Sequence, residues 1–358
     1  MKYALIGCGR IATNHIKAAT NNHFDIEAVC DIVPENMQTL LAKHGLENDE
    51  SIKRFTDYKQ MLAEVKPTLV AIATESGKHA EIALACIAAG CHVIIEKPIA
   101  LSVADAEEIV KRGKEKGVWV CACHQNRFNL SVQHIRNAVD QGRFGKMSHG
   151  CIHVRWNRNQ DYYTQAPWRG TWAQDGGALM NQSIHGIDLL RWLMGDEVEE
   201  VFAYTRNQNH PFIEAEDIGL AVLKFKNGAI GTIEGTTNVF PANLEETLYL
   251  FGEKGTVKAG GKSVNTVDYW QFSDAQAEDA MLSQGLVEET SNVYGNGHTS
   301  VYADMLEAIE QNRAPYIDGE AGKRAMELVL AIYKSAAEGK PVQLPLAECG
   351  TMEFTGRF

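Results

Sequence analysis

The sequence predicts an α/β domain on a parallel sheet, followed by an α+β domain with a large, mostly antiparallel sheet. Three observations carry this. The chain has 358 residues, more than one small core accommodates. Up to residue 124, continuous apolar runs of strand length alternate with helix-like segments, the pattern of a parallel sheet covered on both faces. Beyond that point, alternating strand patterns joined by tight turns dominate.

In the first region the expected strands are Tyr3–Ile6, Ile26–Cys30, Leu69–Ala73, His92–Ile95 and Val118–Ala122. The expected helices are Ala12–Thr20, Pro34–His44, Tyr58–Val65, Gly77–Ala89 and Ser102–Lys116. Pro34 suits a first helical turn, and Ser102 followed by Asp105 reads as an N-cap with an acid behind it. In the second region a helix is expected over Leu130–Gln141, a strand over Ser148–Arg158 and a helix over Ala178–Met194. Strands follow at Val198–Thr205, Ile218–Phe225, Ala229–Thr236, Thr247–Phe251 and Thr256–Lys258, with hairpin turns at Asn227-Gly228 and Lys254-Gly255. Helices over Val301–Gln311 and Ala321–Glu338 close the chain, so the domains are expected to be 1–124 and 125–358.

Apolar residues make up 45% and charged residues 22% of the chain, ordinary globular usage. No apolar run reaches about 18 residues, which argues against a membrane span. The N-terminus lacks a signal-peptide cleavage pattern and reads as a first strand. Eight cysteines with no Cys-x-x-Cys pair suggest reduced, buried thiols and a cytoplasmic protein. A net charge of −12 argues against nucleic-acid binding. One window is different: Arg127, Arg136, Arg143, Lys146, Arg155, Arg158 and Arg169 face only Asp140 and Asp161. A locally basic stretch in an acidic chain suits an anionic small molecule. No metal site is assigned.

Gly7-Cys8-Gly9-Arg10-Ile11-Ala12 is a G-x-G-x-x-A turn between a strand and a helix. Gly7 permits the tight turn, Gly9 lets backbone approach a pyrophosphate, and Ala12 allows close helix–sheet packing. Asp31 ends the second strand, where a carboxylate accepts bonds from the adenosine ribose and repels a 2′-phosphate. The expected domain is therefore a Rossmann dinucleotide-binding domain, with NAD favoured over NADP. The strand His92–Ile95 runs into Glu96-Lys97-Pro98. Strand C-termini form the ligand edge of such sheets, so Lys97 is expected at the cofactor crevice; its bond to Pro98 is open between cis and trans. In the helix after Ala178, Asn181, His185 and Asp188 fall at i, i+4 and i+7 on an otherwise apolar segment. A polar stripe of that kind needs partners or a ligand.

The glycine turn, Glu96-Lys97-Pro98 and the helix carrying His185 together resemble the Gfo/Idh/MocA oxidoreductase family over nearly the whole chain. The resemblance implies oxidation or reduction of sugars and polyols with a nicotinamide cofactor. It implies Lys97 and His185 as the catalytic pair, with Asn181 assisting, and cofactor contacts at Thr74, His79, Glu96, Lys97, Gln125, Trp168 and Arg169. Many members carry Asp where this chain has Asn181, which removes a carboxylate near the imidazole. Trp168–Trp172, Met180–His185 and His298–Asp304 look most like the WlbA-type UDP-N-acetylglucosaminuronate 3-dehydrogenases. That likeness implies a nucleotide-linked amino sugar or its uronate as substrate, contacted by Arg127, Arg155, Arg158, Asn181, His185 and His298. It also implies a homodimer or homotetramer. His185 would take the hydroxyl proton while Lys97 stabilises the developing alkoxide, or the two roles are exchanged. A free-sugar or inositol dehydrogenase, a keto-sugar reductase and a non-catalytic NAD-binding regulator are the alternatives.

Overall fold

A computed structural model describes residues 1–195, 197–289 and 295–358. The chain forms two compact units. One comprises Met1–His124 with His298–Lys323, the other Gln125–Gly297 with Arg324–Phe358. The division after His124 falls where the sequence pattern changes. Residues 298–323, grouped above with the second domain, pack instead with the first unit.

The first unit is a six-stranded sheet of β1 (Lys2–Ile6), β2 (Asp25–Cys30), β3 (Lys53–Phe55), β4 (Leu69–Ile72), β5 (His92–Ile95) and β6 (Val120–Ala122). Its order is β3-β2-β1-β4-β5-β6, and every pairing is parallel. The helices α1 (Ala12–Asn21), α2 (Pro34–Lys43), α3 (Tyr58–Val65), α4 (His79–Ala88) and α5 (Val103–Lys116) alternate with the strands. Strand order reverses between β1 and β4, so the C-terminal ends of these two strands flank the ligand crevice of this architecture. β3 was not expected: it has three residues, two of them exposed, and so no apolar run. Local chemistry sets several boundaries. Pro34 opens α2, and the Ser102 hydroxyl accepts from the Asp105 amide at 3.1 Å to cap α5. The Lys97–Pro98 peptide is cis.

The second unit carries a nine-stranded sheet. It contains β7 (Met147–Arg155), β8 (Val198–Arg206), β9 (Ile218–Phe225), β10 (Ile230–Thr236), β11 (Glu245–Gly252), β12 (Gly255–Gly260), β13 (Thr266–Phe272), β14 (Leu286–Val287) and β15 (Val342–Gln343). Among the described residues, only β7 and β10 pair in parallel in this sheet. The helices α6 (Leu130–Asp140), α7 (Gln160–Thr164) and α8 (Ile184–Met194) precede most of the strands. The expected helix Ala178–Met194 divides into a π-helical turn over Ala178–Ser183 and α8. Because a π turn is wider than an α turn, Asn181 leaves the α-helical register assumed for the polar stripe.

α8 lies directly on the sheet. A Cβ on Gly186 would sit 2.8 Å from the Ile152 side chain and 3.1 Å from Val154, so glycine is required for this approach. Every residue of α8 is buried, and its polar members have dedicated partners. Asp188 accepts two bonds from Arg127, both at 2.7 Å, and one from Arg191 at 3.0 Å. Removing one side of a buried ion pair leaves uncompensated charge, typically costing about 3–5 kcal/mol. Asp188→Ala should therefore lower the unfolding free energy measured in urea by an amount of that order. A change within about 0.5 kcal/mol, the size usual for surface substitutions, would show that the triad is not holding α8.

Candidate functional site

In the first unit the dinucleotide cradle is built from the ends of β1, β2 and β4. Gly7 has φ of +90°, and a Cβ there would meet the Ala73 and Thr74 backbone at 2.6–2.7 Å. Any other residue at that position is both strained and blocked. A Cβ on Gly9 would meet nothing within 4 Å, so this turn leaves room for a ligand against bare backbone. α1 starts at Ala12 with no side-chain cap, which leaves its N-terminal turn suited to phosphate. Asp31 accepts from the Cys8 amide at 2.8 Å, and its other oxygen accepts from the Val33 amide at 2.8 Å. One carboxylate thus braces the glycine turn and marks the end of β2. These residues fit an adenine dinucleotide, with Gly7, Gly9, Arg10, Ile11, Ala12 and Asp31 contributed by the turn and the acid. Bound there, NAD would supply the hydride acceptor.

Beside this cradle, the ends of β4 and β5 are tied together. The His79 ring, 1% exposed, bridges the Pro98 carbonyl at 2.7 Å and the Thr74 carbonyl at 3.1 Å. Glu96 is buried at the end of β5 and accepts from the Lys97 amide at 3.2 Å. Its Oε1 is reached by His15 Nε2 at 3.0 Å and His298 Nε2 at 3.3 Å. His15 Nδ1 in turn meets the Tyr302 hydroxyl at 2.7 Å, and that hydroxyl meets Tyr3 at 2.8 Å. Burial opposes ionisation of Glu96, but the bonds from both histidines outweigh it and hold the carboxyl well below its ordinary range. With Cys123, the donor atoms of this cluster lie within 4.8 Å of one another. Facing a carboxylate, the imidazole nitrogens donate N–H, whereas a metal requires their lone pairs. The cluster is a hydrogen-bonded array that fixes the strand end carrying Lys97. His298, expected at the substrate, is 4% exposed and belongs to this array in the first unit.

In the second unit the expected basic window separates into two kinds of residue. Arg127 is paired with Asp188, Arg136 with Asp140, Arg143 with Asp274 and Asp279, and Arg155 with Glu234 and Glu245. Arg158, Arg169 and the exposed Lys146 have no carboxylate partner among the described residues. Both guanidinium groups lie over the Tyr162 ring, at 5.1 and 4.4 Å from its centroid. Arg158 also covers Trp156 at 5.0 Å, and Arg169 covers Trp168 at 4.5 Å. The Tyr162 hydroxyl accepts from Arg169 at 2.6 Å and from Gln182 at 3.2 Å. Gln182 donates to Asn181 at 3.0 Å, and the Asn181 amide donates to the Asp175 carboxylate. One network therefore joins the two arginines to the turn that precedes His185, itself 7% exposed. Gln125 is buried at the start of this unit. Tyr162, Asp175 and Gln182 were not singled out from the sequence, where nothing but proximity to Trp168-Arg169 and Asn181 marks them.

The π turn rests on a buried acid. Glu216 Oε1 accepts from the Leu179 amide at 2.7 Å and the Tyr333 hydroxyl at 3.0 Å.

The chain matches two models of one family. Residues 1–124 match the Gfo/Idh/MocA oxidoreductase family's NAD-binding Rossmann fold, and residues 136–344 match its C-terminal alpha/beta domain. Among solved structures, the WlbA dehydrogenase from Bordetella pertussis, in complex with NADH and UDP-GlcNAcA, is 38% identical. That likeness covers 97% of this chain and 98% of the other, with a TM-score of 0.87. The WlbA dehydrogenase from Chromobacterium violaceum, with the same two ligands, is 36% identical over 97% of this chain and 96% of its own, with a TM-score of 0.88. Myo-inositol 2-dehydrogenase from Thermotoga maritima is 27% identical, covering 96% of this chain and 98% of the relative. Among the described residues no helix is long and apolar enough to cross a membrane.

Burial raises the Glu216 carboxyl from its ordinary 4.5 to about 8. Burial raises Glu246 of β11 to about 8 as well. For each, the folded state keeps a proton that the unfolded chain loses near 4.5. The stabilisation is complete below about pH 4.5 and is lost as pH rises toward about 8. Glu96 acts in the opposite sense, but its window lies below the ordinary carboxyl value. The contribution of these two acids therefore falls between pH 5 and 8, against an opposite one from buried His79 and His298, whose values burial lowers, and Glu216→Gln should make the slope of melting temperature with pH less negative. A variant slope equal to or more negative than the parent's would remove Glu216 as a source of it.

The chain belongs to the Gfo/Idh/MocA family and is an NAD-dependent oxidoreductase.

Proposed function

We propose that the protein oxidises a secondary hydroxyl, at the 3-position, of a nucleotide-linked amino sugar or its uronate. The observation that carries this is the pair Arg158 and Arg169. Among the described residues their acceptors are neutral, Tyr162 for Arg169 and Asn157 and Asn243 for Arg158, so both half-buried charges remain for an anion to meet, and both lie over the Tyr162 ring. A diphosphate meets that need, whereas a free polyol is neutral and does not. The likeness to two WlbA dehydrogenases bound to UDP-GlcNAcA supports the same reading. The inositol dehydrogenase relative favours a second one, oxidation of a free polyol.

In this reading His185 takes the hydroxyl proton as general base, and Lys97 donates to the same oxygen to stabilise the growing negative charge. Asn181, fixed by Asp175 and Gln182, orients the hydroxyl or the imidazole. Gly7, Gly9 and Ala12 hold the dinucleotide pyrophosphate, and Asp31 accepts the adenosine ribose hydroxyls. Arg169 sits at the boundary of the two assignments, because the family resemblance gives it to the cofactor and its neighbours here are those of Arg158.

Absorbance at about 340 nm, which follows NADH, tests this with UDP-N-acetylglucosaminuronate and with myo-inositol. The nucleotide sugar should be the faster substrate. Lys97→Ala and His185→Ala should each lower kcat by about 10²–10³. Arg158→Ala should raise KM for the nucleotide sugar at least about tenfold, a 1.4 kcal/mol loss, with KM for NAD unchanged. Equal or faster myo-inositol oxidation together with no competition by UDP would defeat the nucleotide-sugar reading.

The sheet of the second unit also supports self-association. Tyr204, Leu220, Val222 and Ile230 are each at least half exposed, and Tyr204 pairs directly with Leu220 across β8 and β9. Apolar groups clustered on one sheet face mark an interface. Light scattering should give a dimer or tetramer, and Leu220→Lys should lower the mass; a monomeric parent would end this assignment.

A further inference from the structure

Glu246 is the acid that neither the family resemblance nor the roles above account for. It is 1% exposed, and both carboxyl oxygens are buried without a hydrogen-bond partner among the described residues. Burying a polar group with nothing to bond costs free energy and calls for an explanation. Its position supplies one. Glu246 pairs with Val154 across β11 and β7, and Val154 is one of the two side chains on which Gly186 packs. The acid therefore stands on the helix-covered face of the sheet, at the end where α8 begins with Ile184 and His185.

Its surroundings are polar in the same unsatisfied way. The Glu246 amide donates to the Gly261 carbonyl at 2.9 Å, and two residues on, the Ser263 carbonyl accepts from Asn129 at 2.8 Å. The Ser263 hydroxyl and the Asn129 side-chain carbonyl oxygen are likewise buried without partners among the described residues. Strand β11, the turn after β12 and the start of α6 thus bring unspent donors and acceptors to one end of the sheet. None of these groups is cationic, so the set suits a neutral hydroxyl or acylamino group rather than a phosphate. This is complementary to the two arginines on Tyr162, which suit the anionic part of a ligand.

We propose that Glu246 is a substrate-positioning residue, hydrogen-bonding a neutral hydroxyl or acylamino group of the sugar ring. The proposal rests on the sugar-oxidation reading above. Kept protonated by burial, the acid both donates through its hydroxyl and accepts through its carbonyl, matching a group that itself does both.

The test compares the parent, Glu246→Leu and Glu246→Gln in steady-state oxidation of UDP-N-acetylglucosaminuronate and myo-inositol, alongside thermal melting. Leucine removes the hydrogen bonds and relieves an unpaired buried acid. Its melting temperature should equal or exceed the parent's, while KM for the oxidised sugar rises at least tenfold and KM for NAD stays within twofold. Glutamine retains a donor and an acceptor and should recover most of the sugar KM. A leucine variant with unchanged sugar KM overturns the proposal, and so does a lower melting temperature with KM for NAD and sugar raised together. A parent that oxidises neither sugar sinks the substrate reading, and this proposal with it; a parent that turns over beside an unaffected variant sinks the role of Glu246 alone.

Discussion

The bidentate bond from Arg127 to Asp188 is the interaction on which the second unit's functional face depends. Every residue from Ile184 to Met194 is buried, so α8 can carry polar side chains only where partners are built for them. Asp188 takes both arginines, Arg127 from the segment before α6 and Arg191 from the next turn of α8. An Arg–carboxylate fork is directional as well as strong, so it fixes rotation about the helix axis as well as attachment. His185 lies one turn before Asp188, and its orientation is set by that rotation. Gly186 fixes the remaining coordinate, height above the sheet, by letting Ile152 and Val154 approach the helix backbone.

Three buried carboxyl groups show how burial and partners compete. Glu96 and Glu216 both lose solvent, but two histidines donate to Glu96 and its charge is retained. Glu216 accepts from one amide and one hydroxyl, too little to offset burial, and it is driven toward the protonated form. Glu246 has no compensating bond, and burial alone acts on it. The difference lies in the number and strength of donors that each fold position provides.

The sequence made the first unit legible because its signals are local. Continuous apolar strands, Pro34, Ser102 and the glycine turn each depend on neighbours a few residues away, and Tyr58–Val65 emerged with both expected boundaries. β3 escaped because three residues with two exposed side chains have no periodicity. Long-range arrangement was not legible. The return of His298–Lys323 to the first unit places His298 on Glu96, a contact no spacing rule encodes. Composition likewise showed a basic window without showing its neutralisation. Arg155 finds its acids on β10 and β11, and Arg143 finds its own at Asp274 and Asp279. Subtracting those pairs leaves the exposed Lys146 and the half-buried Arg158 and Arg169, a distinction available only once the sheet register is known.

Asn181 shows the same limit at the level of a single residue. Read along the chain, asparagine in place of the aspartate of many relatives means a lost carboxylate. The structure supplies a carboxylate from another position. The Asn181 amide donates to Asp175, and Asp175 is itself anchored by the Gly170 amide at 2.7 Å, with Gly170 in left-handed conformation at φ of +70°. A carboxylate is therefore present, reached through an amide that can relay orientation but cannot itself take a proton. Asparagine presents a carbonyl and an NH₂ group. With the NH₂ committed to Asp175 and the carbonyl accepting from Gln182, the side chain is locked in one rotamer and one amide orientation. An aspartate at this position, facing Asp175, would put two carboxyl groups in contact and force one to hold a proton. The asparagine avoids that coupled titration.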